Sequence, residues 1–417
     1  MFVISKGVIM IYDVIIIGAG ASGCMAGVVA SRNGANVLML EKNEKIGKKL
    51  YITGKGRCNL TNNCDVNEFL KNVVNGRQFM NSAIRNFSSQ DTINFFEQEG
   101  LQLKEERGRR VFPVSDKSSD VIKVFEKCLK DSKVEIKFNC SVKSVSKNND
   151  LFYIKCTNGE TYTSYRLIVS TGGVSYTATG SDGFGLVIAQ NFGHKIIKTT
   201  PSLVPIILND DVLDLEGLSL KNVECAVDVG GKKFKEFGEM LFTNEGVSGP
   251  IVLTLSALIN KLDLTNAKMY IDFKPALTEE FLDEKLVKEF NENSNKNLST
   301  YLKTLLPMSF VPYFIEKSNL IDKKLSQFNK QERKIVVSRL KKFDFSIKML
   351  DNINKAIVTS GGVDLKEINP KTMESKLQKG LYFVGEVLDI DAFTGGYNLQ
   401  IAFSTGFVAG SSVMENL

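Results

Sequence analysis

The 417-residue chain has one histidine, His194, and no tryptophan. A single imidazole excludes an HExxH zinc site, a histidine-rich metal cluster and any relay needing two histidines, so no metal centre is expected. The seven cysteines, Cys24, Cys58, Cys64, Cys128, Cys140, Cys156 and Cys225, are odd in number and none is spaced CxxC. That pattern supports neither a disulfide framework nor a zinc ribbon, and free thiols used as small apolar side chains fit a reducing cytoplasm. No apolar run reaches the roughly 18 residues of a membrane span. The apolar stretch MFVISKGVIMIYDVIIIGAG lacks a cationic start, is interrupted by Asp13 and is followed by no Ala-x-Ala site, so it is not read as a signal peptide; Met10 is a candidate natural start. Net charge is also small. Lys plus Arg is 53 against 47 Asp plus Glu, a net +6 too mild to require a nucleic acid.

What is present is ordinary for a soluble globular protein, 43% hydrophobic and 24% charged residues, in a chain long enough for more than one domain. YDVIII (12–17) reads as a buried parallel strand, Ser22 to Asn33 as a helix rich in small residues, and NVLML (36–40) as a second strand, giving βαβ order. Val134 to Ser170 has strand-like segments with a hairpin turn at Asn158-Gly159. Residues 199–275 read as an inserted antiparallel β domain. Residues 276–350 turn to long polar helices, where 12 Lys and 2 Arg against 10 Asp or Glu leave +4. Most of the net charge therefore sits in one helical insert, and a solvated helix surface accounts for it better than a nucleic-acid patch. Strands at AIVTSGG (356–362) and LYFVGE (381–386), a glycine turn and a final helix close the chain.

Gly18-Ala19-Gly20-Ala21-Ser22-Gly23 is GxGxxG between a strand and a helix. Gly18 permits the tight turn, Gly20 lets a pyrophosphate approach the backbone, and Gly23 lets helix and strand pack closely. The helix N-terminus, with Ala21 and Ser22, offers free N–H groups to phosphates. Glu41, 21 residues after Gly20 and followed by Lys42, is placed to accept hydrogen bonds from an unphosphorylated adenosine ribose.

The fingerprint does not by itself separate FAD from NAD. GxGxxG, a strand running into Thr171-Gly172-Gly173, and LYFVGE together resemble the glutathione-reductase-like flavoproteins. There the late strand ends in Gly-Asp, whose acid binds the ribityl chain; here the pair is Gly385-Glu386. A narrower likeness covers most of the chain. TGKGRCNLTN (53–62), STGGVSYTATGSDGFG (170–185), LFTNEGVSGP (241–250) and the segment 361–406 resemble a family of bacterial FAD-dependent oxidoreductases that includes aminoacetone oxidase and the bile-acid 3-dehydro reductase. The resemblance implies an α/β fold: a Rossmann-like FAD-binding domain of three-layer ββα type built from residues 1–198 and 351–417, interrupted by the β domain at 199–275 and the helical domain at 276–350. These inserts are expected to cover the flavin and shape a substrate pocket.

On that basis the cofactor set takes in Gly54, Gly56, Arg57, Cys58 and Asn59, with Arg57 pairing a phosphate or remaining a surface charge, and also Val142. It further includes Gly395, Gly396, Tyr397 and Asn398, where a helix N-terminus stabilises negative charge on the flavin pyrimidine ring. Cys58 and Cys64 are spaced Cys-x5-Cys rather than the Cys-x4-Cys of flavin disulfide reductases, so a redox disulfide is not expected. Asn244 stands where the family usually has a histidine. Tyr176 and Tyr397 are the candidate acids, and His194 is read as a packing residue.

The expectation is an FAD enzyme that reduces an unsaturated or carbonyl small molecule, with NADH or NADPH docking transiently as donor since only one dinucleotide fingerprint is present. An amine oxidase using oxygen is the alternative. A nucleic-acid-associated flavoprotein gripping phosphates through its basic insert ranks behind both, as does a non-catalytic redox sensor. No membrane partner is expected, and the oligomeric state is left open.

Overall fold

The computed structural model describes residues 10–414; the first nine residues of the apolar stretch weighed as a leader lie outside them. The chain forms two compact units, one from the residues up to Pro201 together with those from Ile353 onward, the other Ser202–Asn352.

The first unit opens with β1 (Ile11–Ile17), α1 (Ala21–Arg32) and β2 (Val37–Leu40). Val14, Ile15 and Ile16 are wholly buried, the reason this strand is β-branched on both faces. The short strand β3 (Thr61–Asn62) then joins the hairpin of β4 (Leu103–Glu106) and β5 (Arg110–Pro113) in a three-stranded sheet. Amphipathic α2 (Ser118–Asp131) buries Val121, Phe125, Cys128 and Leu129. β6 (Glu135–Lys137) pairs parallel with β2. An antiparallel meander follows, β7 (Val142–Asn148), β8 (Leu151–Cys156) and β9 (Thr161–Val169), with its β8–β9 turn at Asn158-Gly159, where Gly159 has φ +90°.

In the second unit, β10 (Ile206–Leu208), β11 (Ser219–Val229), β12 (Lys232–Thr243), β13 (Gly246–Ser248), β14 (Lys268–Asp272) and β15 (Phe343–Leu350) close an antiparallel barrel in the order β10-β13-β12-β11-β14-β15. Helices α3 (Pro250–Ile259), α4 (Glu279–Glu292), α5 (Phe310–Lys317) and α6 (Lys330–Lys341) accompany it. The division at residue 275 is not how this unit is built. Its sixth strand, β15, lies inside the stretch read as helical and turns Phe343, Phe345 and Ile347 inward. Three alternating apolar residues are a faint signal beside the long helices before them, but barrel closure needs that strand.

The chain returns to the first unit with β16 (Val358–Val363), β17 (Leu381–Phe383) and α7 (Tyr397–Ser412). β9 is the hinge of the main sheet. It runs parallel to β1 along its length, its start pairs antiparallel with β8, and its end pairs parallel with β17. The parallel order is thus β6-β2-β1-β9-β17. α7 is buried on nearly every side, and its glycines bring it against α1: a Cβ on Gly406 would lie 2.3 Å from the Ser22 carbonyl oxygen, and one on Gly410 2.6 Å from that of Ala26.

Among the described residues no helix is long and apolar enough to cross a membrane, and no cluster of His, Cys, Asp or Glu forms a metal site.

Candidate functional site

At the carboxyl end of β1 each fingerprint glycine has a separate steric task. Gly18 has φ +100°, and a Cβ there would lie 2.7 Å from the Ser170 carbonyl oxygen at the end of β9. A Cβ on Gly23 would stand 2.1 Å from the Gly18 carbonyl oxygen, so helix and strand could not approach. Beside Gly20 a Cβ would meet nothing within 4 Å. The first intrahelical bond of α1 is Cys24 N–H to Gly20 O, leaving the amides of Ala21, Ser22 and Gly23 without an intrahelical acceptor. An open face with free N–H groups at a helix start is an anion site.

Glu41 is buried at the end of β2. Its Oε2 accepts the Ala19 N–H at 2.7 Å, and its Oε1 accepts the Asn43 backbone and side-chain N–H groups at 2.8 and 2.7 Å. The carboxylate thus locks the phosphate loop to the turn after β2. Lys42 reaches away to Asp182 at 2.6 Å.

The second acid sits across the sheet. Glu386 accepts from the Thr359 N–H at 2.7 Å, the Ser175 hydroxyl at 3.0 Å and the Lys49 ammonium at 2.6 Å. Burial by itself would push the Glu386 carboxyl up. The Lys49 charge, its hydrogen bond and the bonds from Thr359 and Ser175 outweigh that and hold it below the ordinary carboxylate range. Sequence reasoning found Glu386 but missed Lys49, Ser175 and Thr359, which come from three separate segments. Neighbouring Gly385, with φ +73°, must be glycine because a Cβ would lie 2.5 Å from Ser22 Oγ.

Thr171-Gly172-Gly173 follows β9 into this same region. Gly172 has φ +75°, and a Cβ on Gly173 would fall 2.4 Å from Thr359 Oγ1. In the turn after Thr53, Gly54 and Gly56 have φ +57° and +84°, and Cys58 is wholly buried with φ +59°. The Arg57 guanidinium, read as a phosphate partner or a surface charge, bonds Asp116 and Glu106 and lies 4.3 Å over the Phe112 ring. Its carboxylate partners hold it in place and take four of its five N–H donors. Val142 begins β7, paired with Cys156 and far along the chain from the glycine turns.

The last turn, Thr394 to Asn398, starts α7. Gly395 and Gly396 have φ +123° and +100°, and a Cβ on Gly396 would lie 2.4 Å from the Thr61 carbonyl carbon. Asn62 Nδ2 donates to the Gly395 carbonyl at 3.2 Å and to that of Gly108 at 2.9 Å. Asn398 uses its amide internally, accepting the Ala392 N–H at 3.0 Å and donating to the Ala392 carbonyl at 2.8 Å. The first intrahelical bond is Gln400 N–H to Gly396 O, so the amides of Tyr397, Asn398 and Leu399 have no intrahelical acceptor.

The candidate acids differ. Tyr397 is buried edge-on to Phe69 at 5.7 Å, and burial pushes its phenol up to about 12. Tyr176 is half-buried, with φ +51° in the loop after Gly173. Burial pushes the thiol of Cys58 up to about 12 and that of Cys64 to about 11, so both stay protonated at neutral pH. Asn244 lies exposed in the β12–β13 turn of the second unit.

His194 is buried, with Nε2 2.8 Å from Ser375 Oγ and Nδ1 3.0 Å from Glu367 Oε2. The order Ser-His-acid is that of a hydrolytic triad, but Ser375 is buried and its Oγ already accepts the Leu377 and Gln378 N–H groups at 3.0 and 2.9 Å. The arrangement ties a turn together and presents no nucleophile.

Two side-chain oxygens in the predicted cofactor set, Asn59 Oδ1 and Thr171 Oγ1, are buried without a hydrogen-bond partner. Buried polar atoms are ordinarily bonded. These two orphans, the open face at Gly20 and the free first turns of α1 and α7 make a set of donors and acceptors that fits an extended dinucleotide such as FAD.

Comparison with known proteins agrees. The family described as HI0933-like protein Rossmann domain matches residues 12–412. The chain is 30% identical to a ribosomal RNA dihydrouridine synthase of Escherichia coli over 97% of its own length and 98% of that protein's. It is 31% identical to a 3-dehydro-bile acid delta(4,6)-reductase of Clostridium scindens, covering 96% and 98%. Among solved structures, 3-ketosteroid delta1-dehydrogenase from Sterolibacterium denitrificans superposes with a TM-score of 0.55 at 15% identity, covering 97% of this chain and 100% of that one, a likeness of fold.

Proposed function

The chain belongs to the HI0933-like family and is an FAD-dependent oxidoreductase, and from that membership we propose that it reduces a carbon–carbon double bond conjugated to a carbonyl group. One observation carries the reading. Two relatives matched along nearly their whole length act, by name, on unlike substrates, an RNA and a bile acid, yet both names describe saturation of an activated double bond.

When bound, FAD would supply hydride-transfer chemistry, with NADH or NADPH as the external reductant. The chain's own residues do the rest. The amides of Ala21, Ser22 and Gly23 would hold the pyrophosphate, Glu41 the adenosine ribose, and Glu386, fixed by Lys49, the ribityl chain. The first-turn amides of α7 would hold the pyrimidine edge, where their positive dipole favours negative charge. Tyr176 is the more accessible of the two phenols and is assigned the proton for the α-carbon.

The test is anaerobic. Holoprotein bleached by NADH or NADPH is mixed with a 3-oxo-Δ4 steroid or with a uridine-containing RNA. Return of the yellow flavin with a product heavier by two hydrogens is expected with one of them. Oxidised flavin bleached instead by a primary amine marks an oxidase and overturns the reading.

A further inference from the structure

We propose that the exposed tip of the β4–β5 hairpin, together with the neighbouring Thr53–Arg57 turn, grips the phosphates of a single-stranded RNA; this rests on the double-bond reading above and names the substrate class. The tip carries Arg107, Arg109 and Arg110, all exposed, and none has an ion-pair partner among the described residues. Around them most charges are matched. Arg57 holds Glu106 and Asp116, Lys104 also holds Asp116, Lys48 holds Glu44 and Lys49 holds Glu386. Glu105 is bonded by Asn63 rather than by a cation and Asp65 caps a helix through the Glu68 N–H, so the three arginines, with exposed Lys45 and Lys55, are left without an ion pair among the described residues.

The tip is anchored to the site. Asn62 bridges the carbonyls of Gly108 and Gly395, which places three arginines beside the turn that starts α7. Phe112 unites the patch, with the Arg57 and Arg110 guanidinium groups 4.3 and 5.8 Å from its ring centre. Tyr51, 49% exposed, lies next to Lys45 at 5.3 Å and offers an aromatic face for a base. Unpaired guanidinium forks suit phosphate oxygens, and interleaved cations and aromatics suit a single strand. A neutral steroid requires none of them.

The basic helical stretch, weighed earlier as the phosphate-gripping element, fits less well. Both of its arginines, Arg333 and Arg339, are paired with carboxylates inside the second unit, as are Lys317, Lys323 and Lys341; exposed lysines such as Lys303, Lys324 and Lys334 remain, but no free guanidinium fork.

The experiment uses FAD-loaded full-length protein and a fluorescein-labelled oligouridylate, with affinity measured by anisotropy against salt. The triple variant Arg107→Gln, Arg110→Gln, Lys55→Gln should weaken binding and flatten the log K against log salt slope by about 2, at ~0.7 per phosphate contact. Flavin absorbance verifies folding. A control variant, Lys232→Gln, Lys233→Gln, Lys348→Gln, removes the same charge from the second unit and should bind as the parent does. Undiminished binding by the first variant, or equal loss in both, overturns the patch. Absence of salt-dependent binding by the parent overturns RNA as the substrate class, while reoxidation of the reduced flavin by a 3-oxo-Δ4 steroid then shows separately that the double-bond chemistry stands.

Discussion

The two acids at the ends of the cofactor site are held in opposite ways. Glu41 is bonded by neutral donors from its own neighbourhood, the Ala19 amide and both nitrogens of Asn43. Glu386 is bonded by a cation, Lys49, 337 positions away in the chain, and by Ser175 and Thr359. A carboxylate fed by backbone dipoles belongs to the loop it locks and needs no counter-charge. One largely enclosed at the junction of three segments needs its charge matched, since an unpaired carboxylate withdrawn from water is costly. The adenosine end is therefore a local device, and the flavin end a tertiary one.

Lys49→Met should break the contrast most. It leaves the largely enclosed Glu386 without its cation, and because both side chains retain some exposure the loss should be about 3 kcal/mol, read by chemical denaturation of the holoprotein. The pH dependence should also change sign. In the parent the carboxyl is held below its unfolded value of 4.5, so its contribution is present above that value and is lost as pH falls through the lower folded one. Without Lys49, burial raises it, and stability should fall as pH rises above 4.5. An unchanged acid limb would show that Lys49 does not control Glu386.

Glu41→Ala should cost less, about 2 kcal/mol or roughly 30-fold in FAD affinity by flavin fluorescence, as the Ala19 N–H loses its acceptor. Asn43→Ala removes a neutral amide that donates to Glu41 and Thr179 and accepts from Lys48, and should cost about 1 kcal/mol. A larger loss from Asn43 than from Lys49 would invert the comparison.

Smaller effects are expected away from both acids. Burial lowers the His194 imidazole below 6.5, opposed by Glu367. The unfolded chain therefore binds more protons, and the His194 contribution should fade as pH drops below that value; His194→Gln should flatten this part of the Tm profile and leave flavin reduction intact. Cys58→Ser and Cys64→Ser should each leave the rate of flavin bleaching by NADH or NADPH within about twofold, because both thiols are protonated at neutral pH.

The parallel strands, α1 and the glycine loop were legible because their signals are local: β-branched runs buried on both faces, small residues where backbones touch, and an acid at fixed distance from Gly20. The meander was legible for the same reason, through alternation and Asn158-Gly159. β15 was not, since three alternating residues after a long helix acquire meaning only when a barrel has to close. Arg57 shows the same limit. Its motif drew attention to the right turn, but Glu106 and Asp116 arrive from the β4–β5 hairpin and its following loop and take the guanidinium.

The sequence by itself determined a dinucleotide site and its phosphate loop, because turn sterics and strand burial act between residues close along the chain. Only the tertiary structure decided which charges remain free. Lys49 is neutralised and Arg107, Arg109 and Arg110 are not, a distinction set by which carboxylates folding brings within ion-pair reach and by nothing in the spacing of the lysines and arginines themselves.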